Sequence, residues 1–438
     1  MPSTAYLGLE LKQRELESRL LIAIKLLHEG VNVVFGQQWA IFDDAGRLPK
    51  GVILFKTVND IQARNMERFK SHGHLVTATD EEVLICDTES GFLLAFSDLA
   101  GPNCDLFFAQ SERHKKAVEK KAPNLRGKVI VAGNARVELL TGNMLHGVTQ
   151  EALELRNIYG DYMLFNTNYG ALNSIWGDIN RVANVAVSTG HLNPKVPASI
   201  AEFRKVIEWE LRNRIEMIRL IKWSASTIKN QKFVIRPHPI EKAEFWEKEF
   251  LGYQNIIVVA RSNPHPWMIG ARLIVHTGCT TGLEAALLGK FAINLMPSDF
   301  PVFDIILKHI NMTVRTWEEG ASMITRYLDN STLVDSATQH MFAAKLEEHL
   351  PKHTRSNASS IISQQISRLA ETLPSDERGL NNLAITPYQR TKVQVDKFTL
   401  HETELQNALT HTSRLAGVNL KASIKKLADS LFLLSPRP

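Results

Sequence analysis

Short apolar runs alternate with amphipathic stretches along most of this chain, and that alternation restricts its fold more than any other feature. "STAYLGLEL" gives way to "QRELESRLLIAIKLLHEG", where Leu16, Leu20, Ile24 and Leu27 share one helical stripe that Gly30 ends. "VNVVFG" follows as a buried strand, then "KGVILFK", the helix "DIQARNMERFKSHG", the strands "HLVTAT" and "DLFFAQ", a helix through "SERHKKAVEKKAP" and the strand "KVIVAG". Parallel strands need a crossover to return the chain, and a helix supplies it. The pattern therefore predicts an α/β fold, a mostly parallel sheet wrapped by helices.

Past "GNARVELL" the chain from 141 to 158 reads as a polar helix, and "YMLFNTNYG" then opens a new strand that stops at a polar turn. The domain boundary is expected there. A long charged helix over about 199–229 precedes four more strands, "KFVIRPHP", "NIIVVA", "ARLIVHTG" and "KFAINLMP". Two Rossmann-like domains, 1–155 and 156–373, facing each other across a cleft make the GT-B plan, in which ligands bind outside the carboxyl ends of strands. The remainder, 374–438, starts with the polar "TLPSDERGLNNLAITPYQRTKVQ" and reads as a linker and a helical extension. Within it Leu420, Ile424, Leu427 and Leu431 fall on one helical face beside Lys421, Lys425 and Lys426. Such a helix either packs on the body or rests on the inner face of a membrane, held by acidic lipids.

The chain of 438 residues is 44% hydrophobic and 22% charged, enough to bury two ordinary cores. Its three cysteines, Cys86, Cys104 and Cys279, are far apart, and no N-terminal leader pattern or membrane-spanning run is evident. Disulfides, structural zinc and export are not expected, and a cytoplasmic location is. A net charge of +5 suits anionic small molecules or an anionic membrane face better than dedicated nucleic-acid binding.

Three turns carry candidate chemistry. In "VHTGCTTGLEAALLGKFAIN" a strand runs through Thr277, Gly278, Thr280 and Thr281 into a helix bearing Glu284. Hydroxyls and open N–H groups at a helix start suit a phosphate, and the carboxylate suits a ribose diol; a plain helix cap is the simpler alternative. In "FVIRPHPIE" prolines hold Arg236 and His238, followed by Pro239, at a strand tip. The arginine fork fits phosphate oxygens, and the histidine can donate to a phosphate leaving group. In "TATDEEVL", Asp80, Glu81 and Glu82 stand together, and their repulsion raises at least one pKa, as a general base requires, unless the loop is merely solvated. Asn166 and Asn168 in "FNTNYG" offer uncharged contacts to sugar or base. Glu10, Lys12 and Arg14 in "LELKQRELESR" are candidates for sugar or acceptor binding, with a plain charged helix surface as the alternative.

Taken in order, "LELKQRELESRLLIA", "TDEEVL", "GNARVELL", "NTNYG", "VIRPHP" and "HTGCTTGLEAALLGKFAI" resemble the bacterial surface carbohydrate biosynthesis proteins, GT-B glycosyltransferases related to the capsule and O-antigen Kdo transferases. The resemblance spans about residues 5–300. It extends more widely to bacterial sialyltransferases, which carry an acidic pair followed by glycine, an HP motif and a Ser/Thr motif for the CMP phosphate. Carried over, these fall on Glu81 and Glu82, on His238 and Pro239, and on Thr280 and Thr281. Val83 stands where that glycine is usual, so the base is either Glu81 or Asp80; Ala135 stands where a related turn has proline.

The resemblance implies a transferase that moves a sugar, a ulosonic acid such as Kdo or a sialic-acid-like sugar, from a CMP-linked donor onto a growing or lipid-linked surface glycan of capsule, O-antigen or lipopolysaccharide. Arg236 and His238 would offset the leaving phosphate with no metal and no cofactor beyond the donor. A retaining course would also need a carboxylate nucleophile, which the sequence does not identify; Asp178, just past "NTNYGALNSIW", is one candidate. Two alternatives remain open: a UDP-sugar enzyme such as a UDP-sugar 2-epimerase, and a non-catalytic GT-B-like subunit of a glycan assembly complex.

Overall fold

The computed structural model describes residues 3–260, 262–329, 334–374, 383 and 385–437. The chain divides into two compact units, one of Met1–Glu82, Ala95–His146 and Leu350–Pro438, the other of Val83–Leu94 and Gly147–His349.

The first unit opens with β1 (Thr4–Leu9), α1 (Lys12–His28), β2 (Asn32–Gln37), β3 (Val52–Phe55), β4 (Leu75–Thr79), β5 (Leu106–Ala109) and β6 (Val129–Val131), every strand where the alternation predicts one. These six pair in parallel in the order β2-β1-β3-β4-β5-β6. The order reverses between β1 and β3, a place where an open α/β sheet leaves a crevice at its carboxyl edge.

The expected boundary at 155/156 falls inside a helix, α2 (Gly142–Tyr159), and the units divide near its start, between His146 and Gly147. A polar helix is a poor marker of a boundary because a helix can carry the chain from one core to another without interruption. Beyond it lie β7 (Tyr162–Asn166), α3 (Pro197–Thr227), β8 (Lys232–Arg236), β9 (Ile256–Val258), α4 (Pro264–Gly270), β10 (Leu273–His276), α5 (Thr280–Leu287), β11 (Ala292–Leu295) and β12 (Met312–Val314). Their sheet is parallel in the order β12-β11-β10-β7-β8-β9, so its reversal lies between β7 and β10. Side chains alternate across it. Met163 and Phe165 pack with Met217, Leu220 and Ile221 of α3, whereas Tyr162 and Leu164 pack with Trp267 and Met268 of α4. The short segment Val83–Leu94 joins this unit through a bridge from Cys86 to Ile305 and a bond from Asp87 N to Asp304 O at 2.9 Å.

The C-terminal part does not form a separate extension. α6 (Ala358–Glu371) returns to the first unit and packs Ile362, Ile366 and Ala370 into the core beneath α1. α7 (Glu402–Leu415) adds Leu405 and Leu409 to the same core. The expected helix over 420–434 is instead a hairpin, β13 (Ala422–Ala428) and β14 (Leu431–Pro436), turned by Asp429 and Ser430, the latter at φ +53°. β14 pairs antiparallel with β2 and buries Leu431, Phe432, Leu433 and Leu434. An open edge on a buried strand needs a partner for its backbone groups, and "LFLL" satisfies it as a strand filled on both faces. The membrane-resting helix is thereby removed. Residues 375–382, most of the expected linker's start, lie outside the described residues. Among the described residues no helix is long and apolar enough to cross a membrane.

Candidate functional site

The second unit gathers its candidate residues at the carboxyl ends of β7, β8 and β10, which are neighbours at the point where strand order reverses. β10 ends on His276, buried, with Nε2 3.0 Å from Asn311 Oδ1; burial pushes its pKa down to about 4, so it is a neutral support. The chain then turns through Thr277 and Gly278. Gly278 sits at φ +49°, and a Cβ there would lie 2.9 Å from the Trp209 ring, so only glycine fits. Its N–H donates to Asn294 Oδ1 at 3.0 Å and is already used by the protein.

Thr280 begins α5, and Thr281 Oγ1 accepts from Asn166 Nδ2 at 3.0 Å, which joins the tip of β7 to the helix start. Asn166 Oδ1 is buried without a hydrogen-bond partner among the described residues. Glu284, one turn in, is buried, and its Oε1 lies 3.8 Å from His265 Nε2. Arg236, at the tip of β8, donates from Nη2 to Ser262 O and, at 3.2 Å, to Ser262 Oγ, while Nε has no partner among the described residues. Burial pushes the Arg236 pKa down to about 10 against the opposing pull of Glu284, so the guanidinium stays charged at neutral pH. Asn166, Arg236, Thr281 and Glu284 thus lie together at this edge of the sheet.

The proline turn after β8 is organised by a residue the sequence reading passed over. Glu241, buried, accepts from Thr167 Oγ1 at 2.7 Å, from the His238 backbone N–H at 3.1 Å and from Trp246 Nε1 at 3.0 Å. His238 Nδ1 accepts from Ile240 N at 3.3 Å, which assigns the ring proton of the neutral imidazole to Nε2. Pro239 and Asn168 are half-buried in their loops. Glu210 of α3 accepts from Ala171 N at 3.0 Å and Leu172 N at 3.1 Å and so pins the loop after β7; burial pushes its pKa up to about 7. His265 is the other residue not foreseen. It sits in the first turn of α4 behind Asn263 and Pro264, 6% exposed, with neither ring nitrogen hydrogen-bonded among the described residues. "SNPHPW" carries the same proline-flanked histidine as "IRPHPI".

The first unit holds its charged candidates at the ends of β1, β3 and β4. Lys56, just past β3, lies 2.9 Å from Glu10 and 2.6 Å from Glu15, and Lys397 reaches Glu10 at 2.6 Å. Burial works against the Glu10 charge, yet Lys56 and Lys397 hold its carboxyl well below the usual range. Lys12 pairs with Glu404 at 2.9 Å, and Arg14 is 4.0 Å from Glu82. Of the acidic run, Glu81 is paired with the buried Arg19 at 3.1 Å and Glu82 is exposed. Asp80 is the carboxyl with the raised pKa. It is 2% exposed, burial and then the charge of Glu82 push it up to about 7, and its Oδ2 has no well-formed hydrogen bond among the described residues. Asp178 is exposed and caps a helix, its Oδ1 accepting from Arg181 N at 3.1 Å. Among the described residues no group of three His, Cys, Asp or Glu side chains is placed to hold a metal.

No family model and no curated protein matches the chain. Solved structures do. A putative UDP-N-acetylglucosamine 2-epimerase from Listeria monocytogenes is similar over 85% of this chain and 98% of its own, at 12% identity and TM-score 0.52. The UDP-GlcNAc 2-epimerase of Neisseria meningitidis, bound to UDP-GlcNAc, is similar over 84% of this chain and 100% of its own, at 12% identity and TM-score 0.51. The likeness establishes the fold. This chain is an α/β protein of two Rossmann-like units, of the GT-B class.

Proposed function

We propose that this protein is a nucleotide-sugar enzyme of bacterial surface-glycan assembly, and that its second unit holds the nucleotide of a UDP-linked sugar. One observation carries the reading: Asn166, Arg236, Thr281 and Glu284 meet at the strand-order reversal of a Rossmann-like sheet, where such sheets take nucleotides. Glu284 accepts the ribose diol, Arg236 and the hydroxyls of Thr280 and Thr281 take phosphate oxygens, and His238 donates from Nε2. Asp80, buried and poised near neutrality, is the acid–base group for the sugar. Uridine is favoured because two of the solved structures similar to this chain are a UDP-GlcNAc 2-epimerase and a putative one.

A second reading rests on the His238–Pro239 turn after β8 and the hydroxyls of Thr280 and Thr281 after β10, which resemble the motif pair of CMP-sugar transferases: transfer of a ulosonic acid from a CMP-linked donor. Calorimetric titration of the chain with UDP, UDP-GlcNAc, CMP and CMP-Kdo separates the two. The proposal expects UDP and UDP-GlcNAc to bind and Glu284→Gln to weaken both by roughly 10-fold or more, the loss of a charge-assisted hydrogen bond. Binding of the cytidine ligands alone moves the assignment to the second reading. Binding of none of the four overturns both.

A further inference from the structure

A cavity of about 650 Å³ opens between α7 and the start of β13, on the outer side of the hairpin. Its shape follows from how α7 ends. Gly417, at φ +66°, follows the last turn; its N–H donates to Arg414 O at 3.2 Å and that of Val418 to Ser413 O at 2.9 Å, a Schellman turn that folds the chain back beside its own helix. Thr410, Ser413 and Arg414 line the space from α7, Asn419 from the loop, and Lys421 and Arg437 from just before β13 and just after β14.

The charge in this cavity is one-sided. Among the described residues its lining contains Arg414, Lys421 and Arg437 and no aspartate or glutamate. The sequence from 405 to 437 has five Lys and Arg and a single acid, Asp429, which pairs with Arg390 at the far end of the hairpin. Arg414 Nη2 meets His411 Nδ1 at 3.3 Å rather than a carboxylate. The ladder adds an independent point. Ala422 is opposite Pro436, and Arg437 N donates to Lys421 O at 2.8 Å, so Lys421 and Arg437 are neighbours across the antiparallel pair. Like charges placed opposite each other destabilise a sheet, and an anion between them removes the penalty.

We infer that this cavity is a binding site for a phosphoryl anion, with Arg437 and Arg414 as the forked donors and Lys421 as the third cation. The amide of Asn419 adds an uncharged donor, whereas the hydroxyls of Thr410 and Ser413 already donate to Gln406 O at 2.9 Å and Leu409 O at 2.6 Å. The site belongs to the first unit and is independent of the nucleotide site proposed in the second. The phosphoryl group comes either from a free phosphorylated compound or from a lipid headgroup.

The test compares the full chain with its Lys421→Gln/Arg437→Gln variant. Pyrophosphate is titrated by calorimetry, and sedimentation is measured with phosphatidylcholine vesicles containing phosphatidic acid. Pyrophosphate binding at least 10-fold weaker in the variant identifies a free phosphoryl ligand; vesicle binding that the variant loses identifies a headgroup. The variant's melting temperature at low salt, without anion, should equal or exceed that of the parent, because the opposed charges are gone; this separates loss of the site from loss of the fold. Identical pyrophosphate and vesicle binding in the two proteins, or binding of neither probe by the parent, overturns the proposal. UDP titration of the variant reads the second-unit site separately, so the two assignments fail independently.

Discussion

Asp80 and Glu81 are adjacent in sequence, yet the fold gives them opposite surroundings. Glu81 has a guanidinium at 3.1 Å, whereas Asp80 is enclosed beside the charge of Glu82. Under the proposed function, Asp80→Asn lowers turnover by roughly 100-fold or more while UDP affinity holds, and Glu81→Gln is milder; near-normal turnover in Asp80→Asn removes it as the acid–base group. The same residue sets a pH effect on stability. Its pKa rises from 3.8 unfolded to about 7 folded, so between those values the folded chain binds more protons and stability falls as pH rises. The slope is at most about 1.4 kcal/mol per pH unit. Asp80→Asn should remove it and be more stable than the parent at pH 8, as measured by urea unfolding at pH 5 and pH 8. Equal slopes in the two proteins would show that Asp80 is ionised throughout. At this scale the sequence revealed that three carboxylates crowd together but not which one is buried and which is paired, because the partner of Glu81 is Arg19 of α1, 62 positions away in the chain. His265 stands in "SNPHPW", the same proline-flanked pattern as "IRPHPI", but in the first turn of α4 rather than at a strand tip, where the sequence pattern points to ligands.

The elements of the parallel sheets were readable from sequence because buried parallel strands are continuous apolar runs, with little outward polarity to confuse the pattern. β12, three residues long and half-buried in part, lacked such a run and was not foreseen. The turn between β10 and α5 carries the next prediction. Gly278→Ala forces a left-handed residue and brings Cβ to 2.9 Å from Trp209, which in turn holds Ser298 O at 2.9 Å. The substitution should cost roughly 1–3 kcal/mol in urea unfolding and weaken nucleotide binding by displacing Thr280 and Thr281. If stability and UDP affinity both stay at parental values, the turn has tolerated the side chain and its glycine is not required. The opposite error in reading an element occurred at 420–434. Leu420, Ile424, Leu427 and Leu431 satisfy a helical period, but the strand pairing that decides the segment comes from β2, some four hundred residues earlier.

At the scale of the whole molecule, the C-terminal residues complete a core that begins at residue 4. Gly36 of β2 shows how closely they fit: a Cβ there would collide with Ser430 O. Phe432 and Leu434 of β14 share one core with Leu7, Val33 and Leu54, and Phe398, Leu400, Leu405 and Leu409 seal it beside α1. Ion pairs from Lys397 to Glu10 and from Glu404 to Lys12 fasten the same region. A chain ending at Gly417 would lose Leu431, Phe432, Leu433 and Leu434, each worth roughly 1.5–3 kcal/mol on burial. Their sum is comparable to the roughly 5–15 kcal/mol that stabilises an ordinary domain. The truncation would also leave the β2 backbone unpaired along an apolar edge, a template for association between chains. The expected outcome is therefore aggregation rather than a modest drop in melting temperature. Expression of the 1–417 chain, followed by size-exclusion chromatography and thermal unfolding, checks it: a soluble monomer melting with the parent would mean that β1–β6 stand without the hairpin. Substituting Leu431 and Phe432 by Ser in the full chain, which keeps the backbone pairing available but removes two buried side chains, should lower the melting temperature without abolishing folding, and so separates the contribution of the core from that of the closed edge.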